Sequence, residues 1–219
     1  MDLQAIRDNM LFRGMTEAEL SDCVAALSAW ERQYPRGSLI LRAGESTDCM
    51  GIVLAGSVTI ESNDVWGGCT VLSHVGQGGF FAESYALLQE EAMLVDVRAN
   101  EASRILFLNL GGLAVTAPTP APWKHKLTAR LLLISAHKNL ALTGRSFHTA
   151  PKTIRGRVLS YLNAVSLQQH AAAFDIPFDR QQLADYLNVE RTALSKELGK
   201  MRAEGLIRCR RNHFEILRN

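Results

Sequence analysis

Four side chains in the C-terminal third of the chain have the chemistry that reads DNA. Arg191, Thr192, Ser195 and Lys196 are spaced so that a helix would place them on one exposed face near its start. Guanidinium, ammonium and hydroxyl groups donate hydrogen bonds to base edges and phosphates in the major groove, and a helix-turn-helix directs this half of its second helix at DNA. The pattern predicts a recognition helix. The alternative interpretation is a solvated helix pair in a small helical domain.

A preceding helix and a tight turn would position this face. Leu183, Ala184 and Leu187 have the spacing of one buried helix face. Asp179 stands just before them, where a short acceptor caps free backbone N–H groups. Asn188 follows directly and tolerates the left-handed conformation that ends a helix. The small Ala184 would allow the two helices to approach closely.

The second helix is predicted to begin near Glu190, because an acidic side chain suits the positive end of a helix dipole. Leu194, Leu198 and Met201 form its apolar stripe. The stripe lies on the opposite side from the four polar side chains, so the helix can be buried on one face and read DNA with the other.

A basic β-hairpin is predicted directly after the second helix. Gly205 can end that helix, and Arg210 and Arg211 form a basic turn between two short strands. Phe214 and Ile216 alternate along the second strand. A helix-turn-helix followed by a basic wing is a more specific pattern than either part alone.

Charge is divided unevenly along the 219 residues. Residues 145–219 carry 13 Lys and Arg against 7 Asp and Glu, whereas residues 1–144 carry 11 against 15. The basic part is suited to a polyanion and the acidic part to another role. An apolar content of 47% excludes a disordered chain, since it supplies enough side chains for cores.

Neither a cysteine-based metal site nor a membrane span is expected. Cys23, Cys49, Cys69 and Cys209 are scattered without a Cys-x-x-Cys pair, which argues against a zinc knuckle or an iron–sulfur cluster. The chain shows no charged-then-apolar leader and no long apolar run. We expect a soluble cytoplasmic protein with reduced thiols.

An antiparallel β-roll is predicted for the N-terminal half. Helices are expected over residues 2–10 and 16–30, the second with a capping box formed by Thr16 and Glu19. Short apolar runs separated by glycines follow between about residues 30 and 110, a pattern typical of an antiparallel barrel or jelly roll. A short helix over residues 80–89 is expected within this series. The glycine-rich loop before it could hold an anion or polar ligand at the helix N-terminus.

A long helix is predicted next, over residues 123–143 and ended by Gly144. Leu127, Leu131 and Ile134, continuing to Ala141, form one seam; the second seam is Leu133, Ala136 and Leu140. A helix with two apolar faces can pack on its own roll and on the same helix of a second copy. The alternative is an ordinary buried helix in a monomer.

The remaining helices and the domain boundaries follow from these patterns. A helix is expected over residues 151–167 with Pro151 in its first turn, and residues 168–178 are expected to be a connection. The predicted domains are a sensor roll (1–120), a dimerisation helix (121–144) and a DNA-binding domain (145–219).

The order of roll, long helix and winged helix-turn-helix resembles the cyclic-AMP receptor protein/fumarate-nitrate reduction regulator (CRP/FNR) family of bacterial transcription factors. The resemblance covers nearly the whole chain and is strongest in four stretches: Tyr34-Pro-Arg-Gly37, Gly44-Glu45, residues 52–58 and residues 178–207. It implies an α+β chain with a cyclic-nucleotide-binding-like roll. It also implies a homodimer through the long helix on a near-palindromic duplex, with RNA polymerase as a further partner.

The resemblance assigns DNA contacts by position. Asp179, Arg180 and Gln181 would contact phosphates, and Arg191, Thr192, Ser195 and Lys196 would face bases, with Arg210 and Arg211 in the wing. The recognition helix differs from the cyclic-AMP receptor pattern, which has Arg-Glu-Thr at its start. Here the residues are Arg191-Thr192-Ala193, so the operator sequence does not follow from the resemblance.

The resemblance also indicates an effector site in the roll. The candidate effector-binding residues are Gly79, Phe81, Glu83, Ser84, Met93 and Leu94. Cyclic-nucleotide-binding members carry Arg-Ser where this chain has Met93 and Leu94, and the Glu that matches Glu83 holds the ribose. An apolar pair cannot balance a phosphate, which argues against cyclic AMP. It would suit a small apolar or aromatic molecule, or haem.

Three alternatives to an effector-controlled regulator remain open at this point. One is a haem-based gas sensor, which would need a His or Cys side chain as a ligand to the iron. His74 is the only histidine before residue 125. Another is a constitutive DNA-binding dimer without an effector. The remote alternative is a jelly-roll metalloenzyme, which would need several converging ligands in the roll. We expect no enzyme activity.

Overall fold

The computed structural model describes residues 4–63, 68–114 and 121–217, and the chain divides into two compact units, Met1–Ser135 and Ala136–Asn219. The first unit contains an antiparallel roll and the second a winged helix-turn-helix, which confirms the predicted fold class.

Two helices precede the roll, α1 (Gln4–Arg7) and α2 (Glu17–Ala26). The capping box at the start of α2 is confirmed, since Thr16 and Glu19 each bond the other's backbone N–H. The predicted extension of this helix to residue 30 is wrong, because Trp30 instead pairs with Phe107 in the first strand.

Eight short strands form the roll within the residues that the structure describes. They are β1 (Trp30–Tyr34), β2 (Leu39–Leu41), β3 (Cys49–Ala55), β4 (Val58–Asn63), β5 (Cys69–Val75), β6 (Phe80–Phe81), β7 (Asp96–Ala99) and β8 (Ser103–Asn109). They make two four-stranded antiparallel sheets with the orders β1-β8-β3-β6 and β2-β7-β4-β5. Strand β3 is buried along most of its length and lies inside its sheet, as its nearly continuous apolar sequence requires.

The helix predicted over residues 80–89 is shorter than expected. Phe80 and Phe81 form β6 and pair with Ile52 and Gly51 of β3, and α3 occupies only Glu83–Leu88. The two aromatic side chains are buried by strand pairing, and this tertiary contact overrides the helical pattern of the segment.

The long helix α4 (Pro122–Thr149) follows a short 3₁₀ helix at Gly111–Ala114. Trp123, Leu127, Leu131 and Ile134 bury its first half in a core shared with α2 and β3. The prediction that Gly144 ends the helix is wrong. The helix continues to the residue before Ala150-Pro151, where proline disfavours the helical conformation of its neighbour.

The second unit contains three further helices and a small sheet. They are α5 (Ile154–Gln169), β9 (Ala173–Asp175), α6 (Arg180–Tyr186), α7 (Arg191–Ala203), β10 (Ile207–Arg210) and β11 (His213–Ile216). Thr153, rather than Pro151, begins α5, because its hydroxyl accepts from Gly156 N at 3.1 Å. The connection expected over residues 168–178 contains β9, which pairs with β11 through Phe174 and Phe214.

Candidate nucleic-acid interface

Local hydrogen bonds define the first helix of the predicted pair. Asp179 Oδ1 accepts from Gln182 N at 2.8 Å, and Gln182 Oε1 accepts from Asp179 N at 2.9 Å, which together form a capping box. Asn188 has φ of 52°, the left-handed conformation that the sequence predicts for the turn. Leu183, Ala184 and Leu187 are buried as expected.

Glu190 caps the second helix, α7. Its carboxylate accepts from Thr192 N at 2.9 Å and from Ala193 N at 2.8 Å, and it also bonds the Thr192 hydroxyl. These bonds, led by the one from the Thr192 side chain, lower the pKa of Glu190 below its ordinary value. An ionised carboxylate therefore stands at the positive end of the helix dipole.

The four predicted base-reading side chains lie together on an exposed face. Arg191, Thr192, Ser195 and Lys196 are all exposed. The stripe on the other side of α7, formed by Leu194, Leu198 and Met201, is fully buried in the core of the second unit. The helix is thus held by one face and presents donors on the other.

The wing lies beside the start of α6. Arg210 and Arg211 are exposed in its turn, and Arg211 has φ of 54°. Arg180 Nη2 donates to Arg211 O at 3.4 Å, and its guanidinium stands 5.8 Å from the centre of the Phe214 ring. The structure thus brings together a predicted phosphate contact on α6 and the predicted basic turn.

The other two predicted phosphate contacts differ in what they can do. The Asp179 carboxylate is engaged in the helix cap, and as an anion it cannot donate to a phosphate. Gln181 is exposed, and its amide donates to Asp185 Oδ1 one turn later at 2.8 Å. Gln181 therefore has a donor near the surface, whereas Asp179 shapes the backbone.

Two arginines that sequence reasoning missed hold the turn of the helix pair. Arg157 Nη1 donates to Leu187 O at 3.1 Å and to Asn188 O at 2.8 Å. Arg145 donates to the last carbonyls of α6, on Asp185 and Tyr186, both at 3.2 Å. Cations suit the free carbonyls at the end of a helix. No local pattern marks these residues, since the carbonyls lie 30 or more positions away.

Two backbone amides of the glycine-rich loop before α3 are already bonded within the roll. Gly78 N donates to Val53 O at 2.8 Å, and Gly79 N donates to Gly76 O at 3.0 Å. The loop is therefore a turn closed against β3. Helix α3 has only six residues and a left-handed Ala82 at its cap, and the anion site here stays a prediction.

The predicted effector residues do not form one cluster. Phe81 and Met93 are buried together in the roll interior, and the Phe81 ring lies so close to Gly51 that a Cβ there would come within 2.0 Å of it. Leu94 is 78% exposed, although the prediction paired it with Met93. Both residues lie in the irregular segment before β7, which begins at Asp96, and there only Met93 packs into the roll. Glu83 is buried, and Ser84, the next residue of α3, is exposed.

Other candidate chemistry in the roll is sparse. Among residues 4–63, 68–114 and 121–217, no group of three or more His, Cys, Asp or Glu side chains is placed to hold a metal ion. His74 is exposed, with Nδ1 3.2 Å from Asn100 Nδ2. No helix in the described part of the chain combines the length and apolarity needed to cross a membrane.

Comparisons with known proteins match both units. A model described as "Cyclic nucleotide-binding domain" matches residues 31–114, and one described as "Crp-like helix-turn-helix domain" matches residues 156–218. The CRP-like protein Clp of Xanthomonas oryzae pv. oryzae is 24% identical over 187 residues, which cover 82% of this chain and 80% of the relative. The Clp protein of Xanthomonas campestris is similar to the same extent.

Solved structures share the fold. The c-di-GMP-responsive global regulator CLP of Xanthomonas campestris superimposes with a TM-score of 0.58 at 20% identity, covering 93% of this chain and 100% of that one. FixK2 of Bradyrhizobium japonicum gives a TM-score of 0.51 at 18% identity, covering 87% and 93%.

Proposed function

Because this chain belongs to the CRP/FNR family of bacterial transcription regulators, we propose that it binds a near-palindromic operator as a homodimer and that an effector other than cyclic AMP controls this binding. The regulator has a helix-turn-helix domain and a cyclic-nucleotide-binding-type domain. The near-palindromic operator, the homodimer and the effector are proposed in addition to membership of the family. Acting on DNA, it would work in the cytoplasm, with RNA polymerase as a further partner.

The observation that carries the proposal is the exposed donor face of α7. Arg191, Thr192, Ser195 and Lys196 stand free of the core on the N-terminal half of a helix whose other face is fully buried. Such a helix can enter the major groove, where bidentate donors distinguish guanine from the other bases. We assign base contacts to this face.

Phosphate contacts are assigned to the residues beside it. Arg180, Gln181, Arg210 and Arg211 surround the start of α6 and the wing turn, with Arg180 bonded to the Arg211 carbonyl. Phosphate contacts fix the position of a protein on a duplex without reading sequence. Asp179 keeps the role of a helix cap in this assignment.

A second copy of the chain is proposed to cover the exposed side of α4. Leu132, Leu133, Leu140 and Leu142 are 48–70% exposed on a helix whose first half is already buried on its other side. Leu133 and Leu140 belong to the second predicted seam, with a heptad spacing that suits a helix pair. Two copies related by a twofold axis would present two recognition helices to an operator of matching symmetry.

We propose an effector chemistry from the residues that replace the phosphate-binding pair. Met93 and Leu94 supply no cation where a cyclic phosphate would need one, and the buried Met93 offers an apolar contact, so an apolar or aromatic molecule suits the roll better than cyclic AMP. The related CLP structure is of a c-di-GMP-responsive regulator, and a cyclic dinucleotide would meet the same lack of a cation at this position.

A constitutive dimer without an effector is the second candidate function. The observation that favours it is that Phe81 and Met93 are buried in one apolar cluster of the roll with Val53, Val97 and Phe107. A roll whose interior is occupied by its own side chains can act as a scaffold alone. Unchanged operator affinity across a metabolite panel would support this candidate over the first.

The proposed division of labour between bases and phosphates can be tested with two variants. We expect Arg191→Ala to reduce discrimination between the preferred duplex and unrelated DNA by roughly 5- to 100-fold, the effect of losing one base contact. Arg180→Ala should weaken binding about evenly across sequences and reduce the salt slope by about one. Fluorescence anisotropy at several salt concentrations measures both. If both variants bind like the parent, the assignment is wrong.

A further inference from the structure

A charged network joins α5 to the recognition helix. Arg155, in the first turn of α5, donates from Nε to Glu197 Oε1 at 2.7 Å. Its two terminal nitrogens donate to the two carboxylate oxygens of Glu204 at 2.7 and 2.8 Å. One guanidinium therefore satisfies two carboxylates with three charge-assisted bonds, two of them in the bidentate geometry that only arginine can make. We call these three residues the Arg155 fork.

The fork is partly shielded from water and ionised. Arg155 is 35% exposed and Glu197 is 18% exposed, while Glu204 lies nearer to solvent. The hydrogen bonds from Arg155 hold the pKa of Glu204 below its ordinary value of 4.5. The bonds from Glu204 and then Glu197 raise the pKa of Arg155. Both groups of the bidentate pair, Arg155 and Glu204, are therefore charged at neutral pH.

The apolar contacts of α7 decide which face meets the core, but they set the fine rotation of the helix about its axis less tightly than hydrogen bonds do. Leu194, Leu198 and Met201 attach the helix to the core, but apolar burial has no preferred direction. The N-terminus of α7 is fixed through the turn that Arg157 holds. Farther along α7, the fork is a directional contact, because hydrogen bonds hold their partners within a narrow range of angles. Glu197 and Glu204 lie two turns apart on the same side of the buried stripe, so the bonds from Arg155 act on one side of the helix.

A glycine increases the need for such a contact. Gly199 lies in the middle of α7, between the two carboxylates of the fork, and a Cβ there would meet no atom within 4 Å. A glycine inside a helix weakens it relative to alanine, because its backbone loses more conformational freedom on folding. Arg155 joins the residues on either side of this point, so it reinforces the helix where its own backbone is least constrained.

We propose that Arg155 is a positioning residue for base recognition, which acts by fixing the rotation of α7 through Glu197 and Glu204. The base-reading side chains extend from the same helix on a different side. A rotation of about 20° at a radius of about 5 Å moves their tips by ~2 Å, which is enough to break a bidentate contact with a base. Arg155 itself need not touch DNA.

This inference rests on the proposed function, and the test separates the two. The preferred duplex is first selected from a pool randomised over about 20 base pairs, the span of two half-sites. Affinity for that duplex and for a scrambled one is then measured for the full-length parent, Arg155→Gln and Glu204→Gln. We expect Arg155→Gln to lower the ratio of the two affinities about tenfold, the discrimination of one base contact, with an unchanged salt slope.

Three further proteins make the result specific. Lys152→Gln removes a positive charge from an exposed residue three positions earlier and should leave the ratio unchanged, which controls for a direct phosphate contact by Arg155. Arg155→Lys keeps the charge but cannot form the fork, so it should fall close to Arg155→Gln. The double variant Arg155→Gln/Glu204→Gln should lose no more discrimination than Arg155→Gln, because both changes break one contact.

The measurements distinguish a failure of the proposed function from a failure of the inference alone. A parent without preference for any duplex overturns the proposed function, and the inference with it. A parent that discriminates, together with an Arg155→Gln variant that retains the parental ratio, overturns the inference alone. A salt slope reduced by about one in Arg155→Gln would make Arg155 a phosphate contact and likewise overturn it. If circular dichroism shows Arg155→Gln to be unfolded, Glu204→Gln decides in the same way, since it removes the bidentate half of the fork.

Discussion

His148, near the end of α4, shows how one residue can make this protein sensitive to acid. Its Nδ1 lies 2.8 Å from the Tyr186 hydroxyl, and its ring packs against Tyr161 with 5.4 Å between ring centres. Burial lowers the pKa of His148 below its ordinary value of 6.5. The Arg145 guanidinium stands over the Tyr186 ring, 5.8 Å from its centre.

The consequence is a loss of stability on acidification. Below pH 6.5 the unfolded chain binds a proton at His148 before the folded chain does, so the free energy of unfolding falls as the pH drops from there through the lowered pKa. We expect His148→Gln to reduce this dependence. Melting temperatures of the parent and the variant, measured on either side of pH 6.5, test it. His137→Gln, an exposed residue of the same helix, is the control and should behave as the parent does.

At the scale of elements, the first half of α4 is packed against the roll, whereas its middle is exposed. Its first half is held to the roll by Leu127, Leu131 and Ile134, and Lys126 Nζ donates to Glu19 Oε2 at 2.7 Å. Residues 136–143 are exposed all the way around the helix. Exposed leucines such as Leu140 and Leu142 in this segment form the kind of surface that a second copy covers.

Removing two leucines from this surface should separate the dimer. We expect Leu133→Ser/Leu140→Ser to raise the dimer dissociation constant at least about a hundredfold, since each dimer would lose four buried leucines. Sedimentation equilibrium measures the change. Leu167→Ser, which removes an equally exposed leucine from α5, should leave the dimer intact. A double variant that remains as dimeric as the parent would show that the two copies pair through another surface.

At the scale of the whole molecule, the division of charge matches the division into two units. The acidic part of the sequence contains the roll, whereas the basic part contains the helix-turn-helix and its wing. A polyanion is therefore attracted to the C-terminal part, and an anionic effector gains no general attraction from the other. Met93 and Leu94 likewise supply no positive charge for an anionic effector.

Cyclic AMP should accordingly leave the protein unchanged. A large excess of the nucleotide should neither raise the melting temperature nor tighten operator binding, because a ligand that binds the folded state must stabilise it. Thermal unfolding and anisotropy with and without the nucleotide test this expectation. A concentration-dependent rise in melting temperature would contradict it and would require a cation at the site other than residues 93 and 94.

The sequence alone was sufficient for features that depend on neighbouring residues. The capping boxes at Thr16 and Asp179 and the left-handed Asn188 were predictable because each involves positions no more than three apart. The buried stripe and exposed donors of α7 follow from helical periodicity in the same way. These local features, taken in order along the chain, indicated the family fold.

Tertiary structure alone decided the features that depend on distant residues. Arg155 meets carboxylates 42 and 49 positions away, β9 pairs across the wing, and Phe81 closes on Gly51 inside the roll. Met93 and Leu94 were predicted as one apolar pair, yet only Met93 points inward, because the direction of a side chain depends on how its backbone segment is placed against its neighbours. Local periodicity determines which faces a helix or strand has, whereas the packing of distant segments determines what each face meets.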